Sequence, residues 1–171
     1  SKITDLYFDF KTFDEKNAIP REELLIEMLK YAKYYKQVTK GCTGDEKIDR
    51  KFKQLSNIGS SVCMPFYLQF IEYANDNKLS SEEIYKVLDV VENYWARRII
   101  CAYPANVMSK TFAILHSDIL RIINEHLKRE TPLESSYSEL IKYVLLKKQG
   151  NAIFPKDSEI DKNFPTRQIY K

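Results

Sequence analysis

Two histidines, three cysteines and one pair of adjacent arginines are the side chains here best suited to chemistry, and their spacing narrows what each can do. Cys42, Cys63 and Cys101 lie 21 and 38 positions apart, so no C-x-x-C pair offers a zinc or redox half-site. They read as free thiols of a reducing, cytoplasmic setting. His116 and His126 are ten residues apart on one expected helix, about 80° apart around its axis and on different turns, which suits no chelate. His126 instead fits the negative end of a helix, and His116 the flank of an apolar stripe. Cys-His catalysis needs thiolate and imidazole to meet near a suitable turn, and neither histidine is placed for that. The triplets Asp14-Glu15-Lys16 and Asp45-Glu46-Lys47 lie in charged, helical or loop context. A metal-dependent nuclease site would want them on a strand beside a second acid. No phosphate-cradling glycine loop is present. These residues supply no expected catalytic group, metal ligand or cofactor site.

The arginine pair is more informative. At 100° per residue, Arg98 falls within about 40° of the stripe formed by Ile84, Leu88, Val91 and Trp95, while Arg97 points to the opposite side. A guanidinium cannot lose its proton, so an inward Arg98 needs a carboxylate, several carbonyl oxygens or a ligand anion. Asn106 is expected to cap the next helix.

A basic stretch offers a different chemistry. Between Met28 and Ser56, Lys30, Lys33, Lys36, Lys40, Lys47, Arg50, Lys51 and Lys53 outnumber Asp45, Glu46 and Asp49 by five. Such a run can follow a phosphate backbone as a weak, non-specific DNA contact; lysines three or four apart also simply solvate a helix face. Tyr31, Tyr34 and Tyr35 can stack on bases or form a wet-edged core. Net charge over the chain is only +3, too little to argue for nucleic acid by itself.

The elements that must position these groups are helices. Four glycines and six prolines in 171 residues leave little material for hairpins. The first clear helix starts after Ile19 with Pro20 at N1 and a stripe of Leu24, Met28, Ala32 and Tyr35, ending near Val38. A loop through Thr39–Lys47 precedes a short helix about Arg50 to Ser56 and a break near Gly59. Met64 to Ala74 reads as a central buried helix. Ser80 with Glu83 forms a capping box, and opens a long helix whose stripe, Ile84, Leu88, Val91, Trp95 and Ala102, stops before Pro104. The next helix carries Met108, Phe112, Leu115, Ile119 and Ile122. Ser136 with Glu139 opens another, stopped by Gly150, and Asp157 caps a short last helix. The expected fold is all-α, a compact bundle of about six or seven antiparallel helices in a single domain over 1–171. No apolar run approaches the roughly 20 residues of a membrane span.

Leu88 to Leu115 resembles the large prokaryotic proteins with an N-terminal ParB-like domain, including the GmrSD-type modification-dependent restriction endonucleases. The match lies in Ala96-Arg97-Arg98-Ile99-Ile100-Cys101 and in the turn Pro104-Ala105-Asn106. Leu29 to Tyr35 is similar to that family's leucine-x-tyrosine-alanine helix. Phe154-Pro155-Lys156-Asp157-Ser158-Glu159-Ile160 is similar to its F-P-x-D-x-E-F segment, and Ile169-Tyr170-Lys171 to the family residues just beyond that segment. Ala102 stands where the family usually has glycine, and Ser109-Lys110 where Asn-Lys is commoner. The resemblance implies a non-catalytic helical middle region, excised from a larger polypeptide. Its partners would be flanking NTPase and nuclease domains of a nucleotide-dependent, phage-defence endonuclease. The family's D-G-Q-Q-R and H-x-x-P motifs are not in these residues. A free-standing helical protein-interaction module is the alternative.

Overall fold

The computed structural model describes residues 3–17, 19–129 and 134–166; the closing Ile169-Tyr170-Lys171 match lies outside them. Among the described residues are eight α-helices and no strand: α1 (Ile3–Asn17), α2 (Arg21–Lys40), α3 (Glu46–Asn57), α4 (Met64–Asp76), α5 (Ser81–Ile100), α6 (Met108–Lys128), α7 (Tyr137–Leu146) and α8 (Asp157–Asn163). The all-α reading holds. The additional helix is α1, which carries no cap signal and whose Phe8, Phe10 and Phe13 do not follow a simple helical stripe. Two compact units divide the chain, Ser1–Lys33 and Tyr34–Lys171, with the boundary inside α2.

In the first unit, no described residue from Phe8 onward is buried. The stripe expected to face a core, Leu24, Met28 and Ala32, is half-buried at Leu24 and exposed at Met28 and Ala32.

The second unit holds the core. Each of its main helices buries residues three or four apart: Ile48, Phe52 and Leu55 on α3, Phe66 and Phe70 on α4, Leu88, Val91 and Trp95 on α5, Met108, Phe112, Leu115 and Ile119 on α6, and Ile141 and Val144 on α7. Helix α5 packs on α3 and α7, and α6 on α4 and α7. Aromatic rings fill the centre, Phe66 stacked on Phe70 at 5.7 Å and Phe52 edge-on to Tyr67 at 5.6 Å.

Local signals explain most helix ends, and tertiary contacts explain the departures. Helix α3 starts four residues before the expected Arg50 because Asp45 accepts from the amides of Lys47 and Ile48 at 2.9 and 3.1 Å. The loop before it closes on Gly41, whose φ is +56° and where a Cβ would lie 2.7 Å from the Asp49 carbonyl oxygen. At Ser136 both halves of the capping box form. At Ser80 only one does. Its hydroxyl accepts from Glu83 N–H at 3.2 Å, whereas the Glu83 carboxylate accepts from the amide and hydroxyl of Ser138 at 2.6 and 3.1 Å, tying α5 to α7. Gly150 is not the stop of α7, which ends at Leu146; it turns left-handed at φ +58° to start a short 3-10 turn over Gly150–Ala152.

His116 on α6 is buried and meets the Tyr137 hydroxyl at Nδ1, 2.7 Å away. Burial pushes its pKa below the ordinary value, against the pull of the nearby Glu72, and burial raises Tyr137. The phenol stays protonated, and the neutral imidazole shares a single proton-bearing contact with it at Nδ1. A base whose folded pKa is depressed contributes stability that is complete above its unfolded value and is lost as pH falls through the folded value. Chemical denaturation between about pH 7.5 and 5 should show stability falling on acidification, and His116→Asn should remove part of that fall.

Candidate functional site

The last turn of α5 carries both arginines, and their phase on the helix decides their fates. Arg98 lies on the buried face with only 2% of its surface exposed. Its guanidinium donates to three main-chain oxygens: Nη1 to Ile153 at 3.0 Å, and Nη2 to Pro104 and Asn151 at 2.9 and 2.8 Å. Of the three partner types that an inward arginine admits, carbonyl oxygens are the ones present. Tyr94 and Tyr103 flank the guanidinium, their ring centres 5.5 and 5.2 Å from it. The Nε–H is buried with no partner among the described residues.

Arg97 does not point freely away. It binds the Asn93 side-chain oxygen at 2.7 Å, the Pro155 carbonyl at 3.1 Å and the Asp157 carboxylate at 2.6 Å. Its guanidinium also lies 5.8 Å from the Phe154 ring centre. Two tyrosines complete the clasp: Tyr94 donates to the Ala152 carbonyl at 2.7 Å and Tyr103 to Glu159 at 2.6 Å. That last bond holds the Glu159 carboxyl below its usual range and the Tyr103 phenol above its own. Asp157, expected as the cap of α8, is its first residue instead: Lys156 takes the cap position, where its amide donates to the Glu159 carboxylate at 2.9 Å, and the Asp157 carboxylate binds Arg97. Residues 151–159 are thereby fastened to the end of α5. A groove of about 480 Å³ runs beside the clasp, bordered by Asp89, Asn93, Arg97, Lys142 and Phe154.

The turn that brings Pro104 under Arg98 has specific geometry. The Tyr103 amide bonds to the Arg98 carbonyl at 3.0 Å and the Ala102 amide to that of Ile99 at 3.1 Å, the paired contacts of a Schellman motif. Ala102 sits at φ +55°, a left-handed conformation that a Cβ penalises. It is therefore exposed and outside the helix, not part of the α5 stripe.

Asn106 caps nothing. It is exposed, and α6 starts two residues later behind Val107, so the amide side chain does not meet the first-turn amides.

The basic stretch divides. Lys51 is 3% exposed and binds both Asp89, at 2.8 Å, and Glu92. Burial would lower its pKa, yet those two carboxylates hold it above the ordinary value. Its place was readable: Ile48, Lys51, Phe52 and Leu55 follow one helical stripe, so Lys51 is no phosphate contact. Lys30 pairs with Glu27 at 3.2 Å, Lys47 with Glu82 at 2.9 Å and Arg50 with Glu46 at 2.8 Å. Lys33 is exposed in the first unit; Lys36, Lys40 and Lys53 are exposed in the second.

No group of His, Cys, Asp and Glu among the described residues is arranged to hold a metal ion. Burial pushes the Cys63 thiol up to about 12, which removes it as a nucleophile near neutral pH. No helix among the described residues is long and apolar enough to cross a membrane. Comparison with protein-family models, curated proteins and solved structures finds no match in any of the three.

Replacing Ala102 by glycine keeps both turn bonds and removes the Cβ strain. Ala102→Gly should stabilise the chain by about 0.5–1 kcal/mol in urea unfolding, the reverse of the usual effect of adding glycine.

Proposed function

We propose that the chain is a non-catalytic helical module of a GmrSD-like, DNA-restricting phage-defence nuclease, in which it positions flanking NTPase and nuclease domains. One observation supports this reading above the others. Two of the segments that carry the resemblance, Ala96–Cys101 and Phe154–Ile160, lie more than 50 residues apart in sequence yet meet in the arginine clasp. The position where the resemblance expects glycine, Ala102, takes the left-handed conformation that glycine favours. In this reading the pair of arginines is architectural: it fixes where the chain leaves the bundle, and so where a following domain would start.

A free-standing interaction module is the second reading, favoured by the exposed apolar side chains of α1 and α2. Of the basic residues expected to touch DNA, Lys33, Lys36, Lys40 and Lys53 are exposed without a salt bridge among the described residues.

The test uses the intact gene product beside the 171-residue chain. Nucleotide-dependent cleavage of modified DNA by the intact protein, with neither hydrolysis nor cleavage by the chain alone, is the expected result. A reading frame confined to these residues, or turnover by the chain alone, would contradict it. Any DNA binding by the chain should fall with salt at a log–log slope of about −3.6, for phosphate contacts by Lys33, Lys36, Lys40 and Lys53, rather than the roughly −6 of all seven expected cations.

A further inference from the structure

Where α2 and α4 end and α3 and α5 begin, the second unit is not filled. A socket of about 140 Å³ lies there, floored by Ile48 and Phe52 of α3, Ile71 and Ala74 of α4, and Ile84 of α5. All of its lining residues fall between Gln37 and Ile84, so it is built from the second unit alone. Protein interiors leave few voids larger than a water molecule, because atoms facing one lose dispersion contacts. A space of this size closes by relaxation unless its walls are fixed.

These walls are fixed. Thr43 and Asp45 stand at the edge of the socket. Thr43 donates its amide and its hydroxyl to the Asp49 carboxylate, each at 2.6 Å, and its hydroxyl accepts from the Asp45 amide at 3.3 Å. Asp45 in turn caps the first turn of α3 through the Lys47 and Ile48 amides. Helix starts held in this way cannot move inward. A preformed apolar hollow of about this volume takes up a benzene-sized molecule.

The mouth adds polarity of one kind. Gln37 is half-buried there and Asn75 exposed, and neither side-chain amide makes a hydrogen bond among the described residues. Two carboxamides offer donors and acceptors without charge. The one charged side chain in the lining is Asp45, whose carboxyl is held below its usual range by hydrogen bonding from Ser81 and from the Ile48 amide. A negative charge at the edge disfavours an anion.

We infer that this socket is a binding site for a small neutral aromatic molecule, its ring against Ile48, Phe52, Ile71, Ala74 and Ile84 and a single hydrogen-bonding substituent at the Gln37 and Asn75 amides. Phenol is the minimal ligand of that class. The inference is independent of the proposed restriction-nuclease role.

Titration of the full 171-residue chain with phenol, benzene and benzoate, read on the isoleucine methyl resonances, tests it. Phenol and benzene should shift Ile48, Ile71 and Ile84, with dissociation constants of about 0.1–1 mM for ligands of six or seven heavy atoms. Phenol should bind about fivefold more tightly than benzene, and benzoate should leave the three methyls unmoved. Ala74→Leu fills the space from within and should weaken both neutral ligands at least about tenfold while keeping or raising the main melting transition. Gln37→Ala with Asn75→Ala, outside the core, should bring phenol to the benzene value and leave benzene unchanged. Methyls indifferent to both neutral ligands would overturn the inference. So would benzoate binding as well as phenol, a folded Ala74→Leu variant binding like wild type, or a phenol preference that survives loss of both amides.

Discussion

A guanidinium taken out of water keeps its charge, so a chain that buries one must surround it with oxygen atoms. Arg98 imposes that constraint on this fold. Its three partners, the carbonyls of Pro104, Asn151 and Ile153, belong to segments on either side of α6 and α7. Satisfying it fixes the turn after α5 and the path of the chain after α7 at once. Hydrogen bonds to a charged group contribute about 1.5–3 kcal/mol each, and the negative end of the α5 dipole lies at the same place. The neighbouring contacts act in the same sense: Arg97 on Pro155 and Asp157, Tyr94 on Ala152, Tyr103 on Glu159.

The helical core was readable because α3 to α7 repeat large apolar residues at three and four, and the caps at Ser80 and Ser136 mark where two helices start. The inward turn of Arg98 was readable for the same reason, as an angle on a helix. Its partners were not, since main-chain oxygens look the same at every position. Lys51 shows the converse. Its phase with Ile48, Phe52 and Leu55 marked it as buried, but a run of lysines reads first as a basic surface. Glu83 fits a local rule, S-x-x-E, and the fold overrides half of it because Ser138 lies within reach. At Ala102 no local residue signal marks the left-handed turn; only the resemblance, which has glycine there, points to it. Helix α1 lacks both a cap and a regular stripe, and correspondingly buries none of its described side chains.

These differences bear on function. Of the eight basic residues between Met28 and Ser56, four, Lys30, Lys47, Arg50 and Lys51, pair within the chain with Glu27, Glu82, Glu46, Asp89 and Glu92. Lys33, Lys36, Lys40 and Lys53 stand exposed, as do the apolar Leu25, Ile26, Met28 and Leu29 of α2.

Hydrogen exchange resolved along the chain, comparing wild type with Arg98→Met, tests the clasp most directly. The methionine keeps the bulk of the side chain and removes its donors. Amides of residues 150–160 should lose protection by at least about 2 kcal/mol while those of α4 and α6 keep most of theirs. Equal protection of residues 150–160 in the two proteins would contradict the view that this one buried charge holds the segment in place.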